Sequence, residues 1–173
     1  MKLVIVGAVA GGASAAARAR RLDEDAEIVL FERGEAPSFA NCGLPYYVGG
    51  VIQDRDDLLV APKQRLIDRY RLDVRTQAEV TRIDRENQRI HVRELNTGKE
   101  YEQAYDKLIL SPGAAPLRPP IAGAESSRVY TIRDLRDADR LQEAIAGAGR
   151  AVVIGAGFIG IEMTENLVRR GVA

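Results

Sequence analysis

Leu3-Val4-Ile5-Val6-Gly7-Ala8-Val9-Ala10-Gly11-Gly12, continued by Ala13-Ser14-Ala15-Ala16-Ala17-Arg18-Ala19-Arg20-Arg21-Leu22, is the stretch whose reading decides the fold. Four consecutive apolar residues, three of them β-branched, predict a strand buried on both faces. The glycines then break the strand, and the alanine-rich run predicts a helix. A second apolar strand, Ile28-Val29-Leu30-Phe31, ends in Glu32, twenty residues past Gly12. Strand, glycine turn, helix, strand and acid in this order form a dinucleotide fingerprint. The tight turn lets the backbone approach a pyrophosphate, and the helix N-terminus offers unpaired amides and a positive dipole end. Glu32 can accept from ribose hydroxyls. Gly7, Val9, Ala10, Gly11, Gly12 and Glu32 are therefore candidate cofactor contacts, with Val9 standing where the fingerprint has its middle glycine.

A second copy follows. Arg150-Ala151-Val152-Val153-Ile154 predicts another buried strand, and Gly155-Ala156-Gly157-Phe158-Ile159-Gly160 is a complete GxGxxG leading into a helix through Glu162, Leu167 and Arg169. Two such starts imply two dinucleotide sites, the arrangement of a flavoprotein reduced by NADH or NADPH. Gly155, Gly157, Phe158, Ile159 and Gly160 are the candidate nicotinamide-nucleotide contacts. The counterpart of Glu32 in this second copy would fall near position 180, beyond Ala173. The expectation is a piece of a larger reductase, impaired in turnover on its own.

Between the copies, Pro62 can open a helix through Leu66, Ile67 and Tyr70. Leu72 to Val74 and Glu79 to Ile83 read as strands, and Asp84-Arg85-Glu86-Asn87 as a hairpin turn leading to Ile90 and Val92, together a small antiparallel meander. Leu108-Ile109-Leu110 returns as a buried strand before the proline-rich stretch from Ser111 to Gly123, which cannot continue a sheet. Asp134 to Ala146 carries Leu135, Ala138, Leu141 and Ile145 at helical spacing. The fold class expected is α/β: a Rossmann-like FAD/NAD(P)-binding fold, with a parallel sheet flanked by helices and a small meander. The domains expected are 1–111, a flavin-binding part; 112–149, a connection; and 150–173, the start of a nicotinamide-binding part.

Cys42, within Ser38-Phe39-Ala40-Asn41-Cys42-Gly43-Leu44-Pro45-Tyr46, is the only cysteine in 173 residues. A lone cysteine is commonly a small buried hydrophobe. Tyr47 stands five positions on, where a Cys-x4-Cys dithiol would carry its second sulfur. A redox-active Cys42 must therefore pair with an external sulfur or form a sulfenic acid. Formal net charge is zero, 25 basic against 25 acidic residues, which argues against a nucleic-acid surface. No apolar run reaches the roughly 18 residues of a membrane span, and the first residues read as a strand with no signal peptide, so the cytoplasm is the expected location. Arginines far outnumber lysines, and Arg18, Arg20 and Arg21 share the first helix, where their rigid forks suit phosphates. His91, the one histidine, falls in the meander and offers no acid–base group near Cys42, and no metal site is expected.

Val6 to Ser14 followed by Ser38 to Tyr46 resembles the coenzyme A disulfide reductase type of the pyridine nucleotide-disulfide oxidoreductases that use a single cysteine. In that family the first glycine motif commonly carries valine at its third position, as Val9 does here. Asp106-Lys107-Leu108-Ile109-Leu110-Ser111-Pro112-Gly113 resembles the family's second flavin-contact segment. The resemblance implies that Cys42 is the nucleophile forming a mixed disulfide with coenzyme A, and that Ser14, Arg18, Arg21, Ser38 and Asn41 meet coenzyme A. A further basic contact falls on Arg69 or Arg71, with Arg71 preferred. It implies FAD contacts at Arg33, Val80, Ser111, Pro112, Gly113 and Arg133, a small-molecule disulfide or persulfide substrate, and a homodimeric full-length parent. Relatives fused to a rhodanese domain and acting on persulfide share these motifs. Oxidases and peroxidases of the superfamily cycle a sulfenic acid and typically place a histidine where Ala10 stands. A flavin-binding module without catalysis is the remaining alternative.

Overall fold

The computed structural model describes residues 1–173. Contacts divide the chain into two compact units, one of Met1–Phe39 with Leu59–Gly113, the other of Ala40–Leu58 with Ala114–Ala173.

The first unit is built on a parallel sheet of β1 (Lys2–Val6), β2 (Glu27–Glu32), β3 (Asp73–Thr76) and β7 (Lys107–Leu110), in the order β3-β2-β1-β7. Between them run α1 (Ala10–Leu22), α3 (Lys63–Tyr70) and the antiparallel meander β4 (Ala78–Asp84), β5 (Arg89–Glu94), β6 (Glu100–Ala104). Strand alternation sorts the apolar residues onto two faces. Leu3, Ile5, Ile28, Leu30 and Val74 pack with Ala15, Ala16 and Ala19 of α1 and Leu66 and Ile67 of α3. Val4, Val29 and Phe31 pack with Ala78, Ile90 and Val92 of the meander. Both faces of β1 and β2 are thereby covered, which is why each reads as an unbroken apolar run.

In this unit the structure corrects two sequence expectations and adds a strand. β3 does not join the meander; it pairs parallel with β2, Val29 opposite Asp73 through Glu32 opposite Thr76. Its Val74 belongs to the helix-side core, and α3 supplies the crossover that a parallel partner needs. β7 is an edge strand paired only with β1, so Leu108 and Ile109 are half-buried and Leu110 is 55% exposed. β6 had no sequence signal, because Glu-Tyr-Glu-Gln-Ala is polar. Cross-strand ion pairs Arg89–Glu102 at 2.9 Å and Arg93–Glu100 at 2.9 Å align it with β5.

The second unit holds a 3-10 turn at Asn41–Gly43, α2 (Leu44–Val48), a 3-10 turn at Arg55–Leu58, α4 (Leu135–Ile145) and α5 (Phe158–Arg169). α2 packs against both α4 and α5. Asp134 caps α4, its Oδ1 accepting from the Asp137 N–H at 2.9 Å. The strand expected at Arg150 to Ile154 does not form, and Val152 and Ile154 are 86% and 74% exposed. A parallel strand is held by its neighbours, and here the stretch has one rung of pairing: the Ala151 N–H donates to Ala173 O at 2.8 Å and the Ala173 N–H to Gly149 O at 3.2 Å.

Candidate functional site

In the first unit the glycine turn is shaped by close approach. Gly7 adopts φ +92°, open to glycine and costly for other residues, and a Cβ there would collide with the Ser111 carbonyl oxygen. A Cβ on Gly12 would collide with Gly7 O, so the first turn of α1 lies directly against the end of β1. Gly11 faces Ser111 Oγ, which a Cβ would meet at 2.5 Å. The structure thus brings Gly7, Gly11 and Gly12 together with Ser111 and Pro112, two sequence-distant parts of the expected flavin contact. α1 begins at Ala10 with no side chain capping it, leaving its first amides for a ligand.

Glu32, at the carboxyl end of β2, is oriented by backbone. The Ala8 N–H donates to Oε2 at 2.8 Å and the Gly34 N–H to Oε1 at 2.7 Å. Each oxygen retains a lone pair for a ribose hydroxyl. Neither amide was foreseeable from spacing, since both contacts depend on where the turn folds back. Arg33, 3.8 Å from Glu79, lies beside the strand that carries half-buried Val80. A small-residue cradle, an uncapped helix start and an oriented carboxylate fit the pyrophosphate and ribose of a dinucleotide such as FAD.

The second glycine turn repeats this geometry. Gly155 has φ +109°, and a Cβ on Gly160 would collide with Gly155 O, as Gly12 does with Gly7. Gly157 precedes α5, again with no side-chain cap. Phe158 and Ile159 are exposed at 90% and 58%, so the fingerprint residues are presented outward. This turn, like the first, fits the pyrophosphate of a dinucleotide.

Cys42 sits exposed in the 3-10 turn Asn41–Gly43 of the second unit, with Asn41 also exposed. The reading as a buried hydrophobe is therefore excluded. Gly43 is forced small by packing, since a Cβ would come within 2.6 Å of Leu58 Cδ2. Beyond it, the Tyr47 hydroxyl donates to Asp139 Oδ1 at 3.3 Å, and Arg55 Nε donates to both Asp139 oxygens, at 3.1 and 3.0 Å. Burial, then the Asp139 charge and hydrogen bond, pushes the Tyr47 phenol above its ordinary value. Arg133, also in this unit, donates from Nε to Ala114 O at 2.6 Å.

The expected coenzyme A residues of the first unit are variously placed. Ser14 and Arg18 are exposed on α1, and Arg21 donates from Nε to Ala17 O at 3.1 Å. Ser38 is held at φ +51°, its N–H donating to Ala8 O at 2.8 Å, a left-handed conformation that costs about 1 kcal/mol or more in a residue of this type. Arg71 caps α3 at φ +47° and donates to Glu24 O at 2.9 Å. Arg20 instead binds carbonyls at the ends of α1 and α3, Glu24 O at 2.7 Å and Tyr70 O at 2.8 Å among them, which is a structural tie.

A parallel sheet between helices and a meander, with two glycine turns of one design, defines a Rossmann-like dinucleotide-binding fold. The whole chain, residues 1–173, matches the family described as pyridine nucleotide-disulphide oxidoreductase, and it belongs to that family. It is 43% identical to the coenzyme A disulfide reductase of Staphylococcus aureus (strain JH9) over 98% of this chain and 39% of that protein. Among solved structures it is similar to reduced CoADR-RHD of Bacillus anthracis, with a TM-score of 0.97 and 51% identity over 99% of this chain and 31% of that one. It is also similar to a NAD-dependent persulfide reductase from A. fulgidus, with a TM-score of 0.94 and 38% identity over 99% and 33% of the two chains. The chain spans 39% of the length of the curated relative it matches.

Proposed function

We propose that this chain is the flavin- and thiol-bearing part of an enzyme that uses NADH or NADPH to reduce coenzyme A disulfide, or the related persulfide, through Cys42. The observation that carries this reading is an exposed, solitary thiol in a chain with two dinucleotide turns and no second cysteine. Residues 1–111 would hold FAD, through Gly7 to Gly12, Glu32, Arg33, Val80 and Ser111 to Gly113, with Arg133 from beyond. Residues 112–149 connect, and 150–173 begin the NAD(P)H part through Gly155 to Gly160. FAD, when bound, supplies a two-electron relay between nicotinamide and sulfur.

The Cys42 thiolate attacks one sulfur of the disulfide, forming a Cys42–coenzyme A mixed disulfide and expelling one coenzyme A thiolate. Two electrons, originating as hydride from NAD(P)H, then cleave the mixed disulfide. They return Cys42 to thiolate and release the second coenzyme A, which takes up a proton. Ser14, Arg18, Arg21, Ser38, Asn41 and Arg71 are proposed to hold coenzyme A, the arginines at its phosphates. A thiol that must stay reduced between turnovers suits the cytoplasm, and the full-length polypeptide is expected to be a homodimer, which sedimentation would check.

The test is intact mass under non-reducing conditions after exposure to coenzyme A disulfide. The wild-type chain should gain one coenzyme A, and Cys42→Ser none. A wild-type chain left unmodified, or converted only to a sulfenic acid by oxygen or peroxide, overturns the reading.

A further inference from the structure

The segment Ala40–Leu58 leaves the first unit and returns to it, the Ala40 N–H donating to Leu58 O at 2.8 Å where its two limbs meet. Cys42 and Tyr47 lie on the outgoing limb, Arg55 and Leu58 on the returning one. Leu58 is fully buried and lies across Gly43, the residue after the thiol. From α4, 92 residues past Tyr47, the Asp139 carboxylate takes the Tyr47 hydroxyl and the Arg55 guanidinium at once. One turn further along the same helix, Gln142 Nε2 donates to Tyr47 O at 3.1 Å.

We propose that Asp139 is a positioning residue for the Cys42 thiol, its carboxylate joining Tyr47 to Arg55 and so fixing the two limbs of the segment that presents Cys42. This rests on Cys42 as the reacting sulfur. The same five-residue spacing that denies Cys42 a second sulfur gives Tyr47 a different task. A phenol whose ring is buried and whose hydroxyl stays protonated is a permanent donor, so the link to Asp139 persists across the range in which a thiolate works. Arg55 places its guanidinium 3.0 Å from the half-buried Asp139 carboxylate, so the two limbs are joined by an ion pair as well as by the Tyr47 hydrogen bond. An exposed thiol on a short turn has little packing of its own to orient it, and orientation is what disulfide attack requires, since the incoming sulfur must be approached along the bond it will break.

Two measurements on the full-length, FAD-loaded protein separate this proposal from the reading beneath it. One is hydrogen exchange at the Gly43 N–H, which donates to Ala40 O at 2.9 Å across the thiol turn. The other is the ratio of Cys42 modification rates by coenzyme A disulfide and by 2-hydroxyethyl disulfide. Asp139→Ala should speed Gly43 exchange and lower that ratio, each about fivefold or more. Asp139→Asn should fall between, because it keeps an acceptor for Tyr47 and loses the charge opposite Arg55. Tyr47→Phe removes only the hydroxyl and should follow Asp139→Asn, which keeps the test available if the alanine variant does not fold.

Gly43 exchange at the wild-type rate in these variants overturns the proposal. Faster exchange with the ratio unchanged overturns it too, leaving the carboxylate a purely structural role. A wild-type protein with no preference for coenzyme A disulfide overturns the reading of the substrate, while Gly43 exchange still decides on Asp139.

Discussion

Gly11 and Gly12 are adjacent in sequence and opposite in consequence. A Cβ on Gly12 meets backbone, Gly7 O, which cannot move without shifting β1, whereas a Cβ on Gly11 meets Ser111 Oγ, a side-chain atom that can rotate away. Gly12→Ala is expected to cost about 1–3 kcal/mol, the range for overpacking a close contact, and Gly11→Ala clearly less. Urea midpoints for both variants check this ordering. Visible absorbance of purified protein checks the accompanying prediction that Gly12→Ala retains less flavin than Gly11→Ala. Much of this scale was legible beforehand, because a glycine needed for close approach carries its reason in the strand-turn-helix context. Val9 was legible only through family resemblance. The Tyr47–Asp139–Arg55 cluster was not legible, since no spacing rule connects side chains so far apart in the chain.

Among the elements, the meander hairpin has an acid-labile latch. Asp84 accepts from the Asn87 N–H at 3.0 Å and from Asn87 Nδ2 at 2.9 Å, and these bonds, the side-chain one foremost, hold its carboxyl below the ordinary range. The folded value lies under the unfolded one of about 3.9. The stabilisation is therefore present above about pH 4 and is lost as pH falls through the folded value. Thermal melts at about pH 5 and pH 3 should show a larger drop for wild type than for Asp84→Asn; equal drops would sink the assignment. The turn itself was readable from Asp84 to Asn87, and β4 and β5 with it. β6 was not, because polar residues form a strand there only through partners across the ladder. β3 was found but placed in the wrong sheet, since a four-residue strand reads alike in parallel and antiparallel company.

For the molecule as a whole, the failed strand is the informative miss. Arg150 to Ile154 reads as a core strand by composition and folds as exposed chain, because composition reports what a segment can pair with and not what is there to pair. With Val152, Ile154 and Phe158 exposed at 86%, 74% and 90%, the 173-residue polypeptide should bind a hydrophobic dye and self-associate at raised concentration. Replacing Val152 with Thr and Phe158 with Lys should reduce both effects, as read by dye fluorescence and sedimentation.

The chain passes between the two units three times, at residues 39/40, 58/59 and 113/114. No single cut can therefore part them. A protease nick or an engineered truncation at Gly113 would leave Ala40–Leu58 on the N-terminal piece, severed from the helices that grip it. The thiol segment and the second glycine turn share one unit, so replacing Ala114–Ala173 would also change the helices α4 and α5 that pack on α2 beside Cys42.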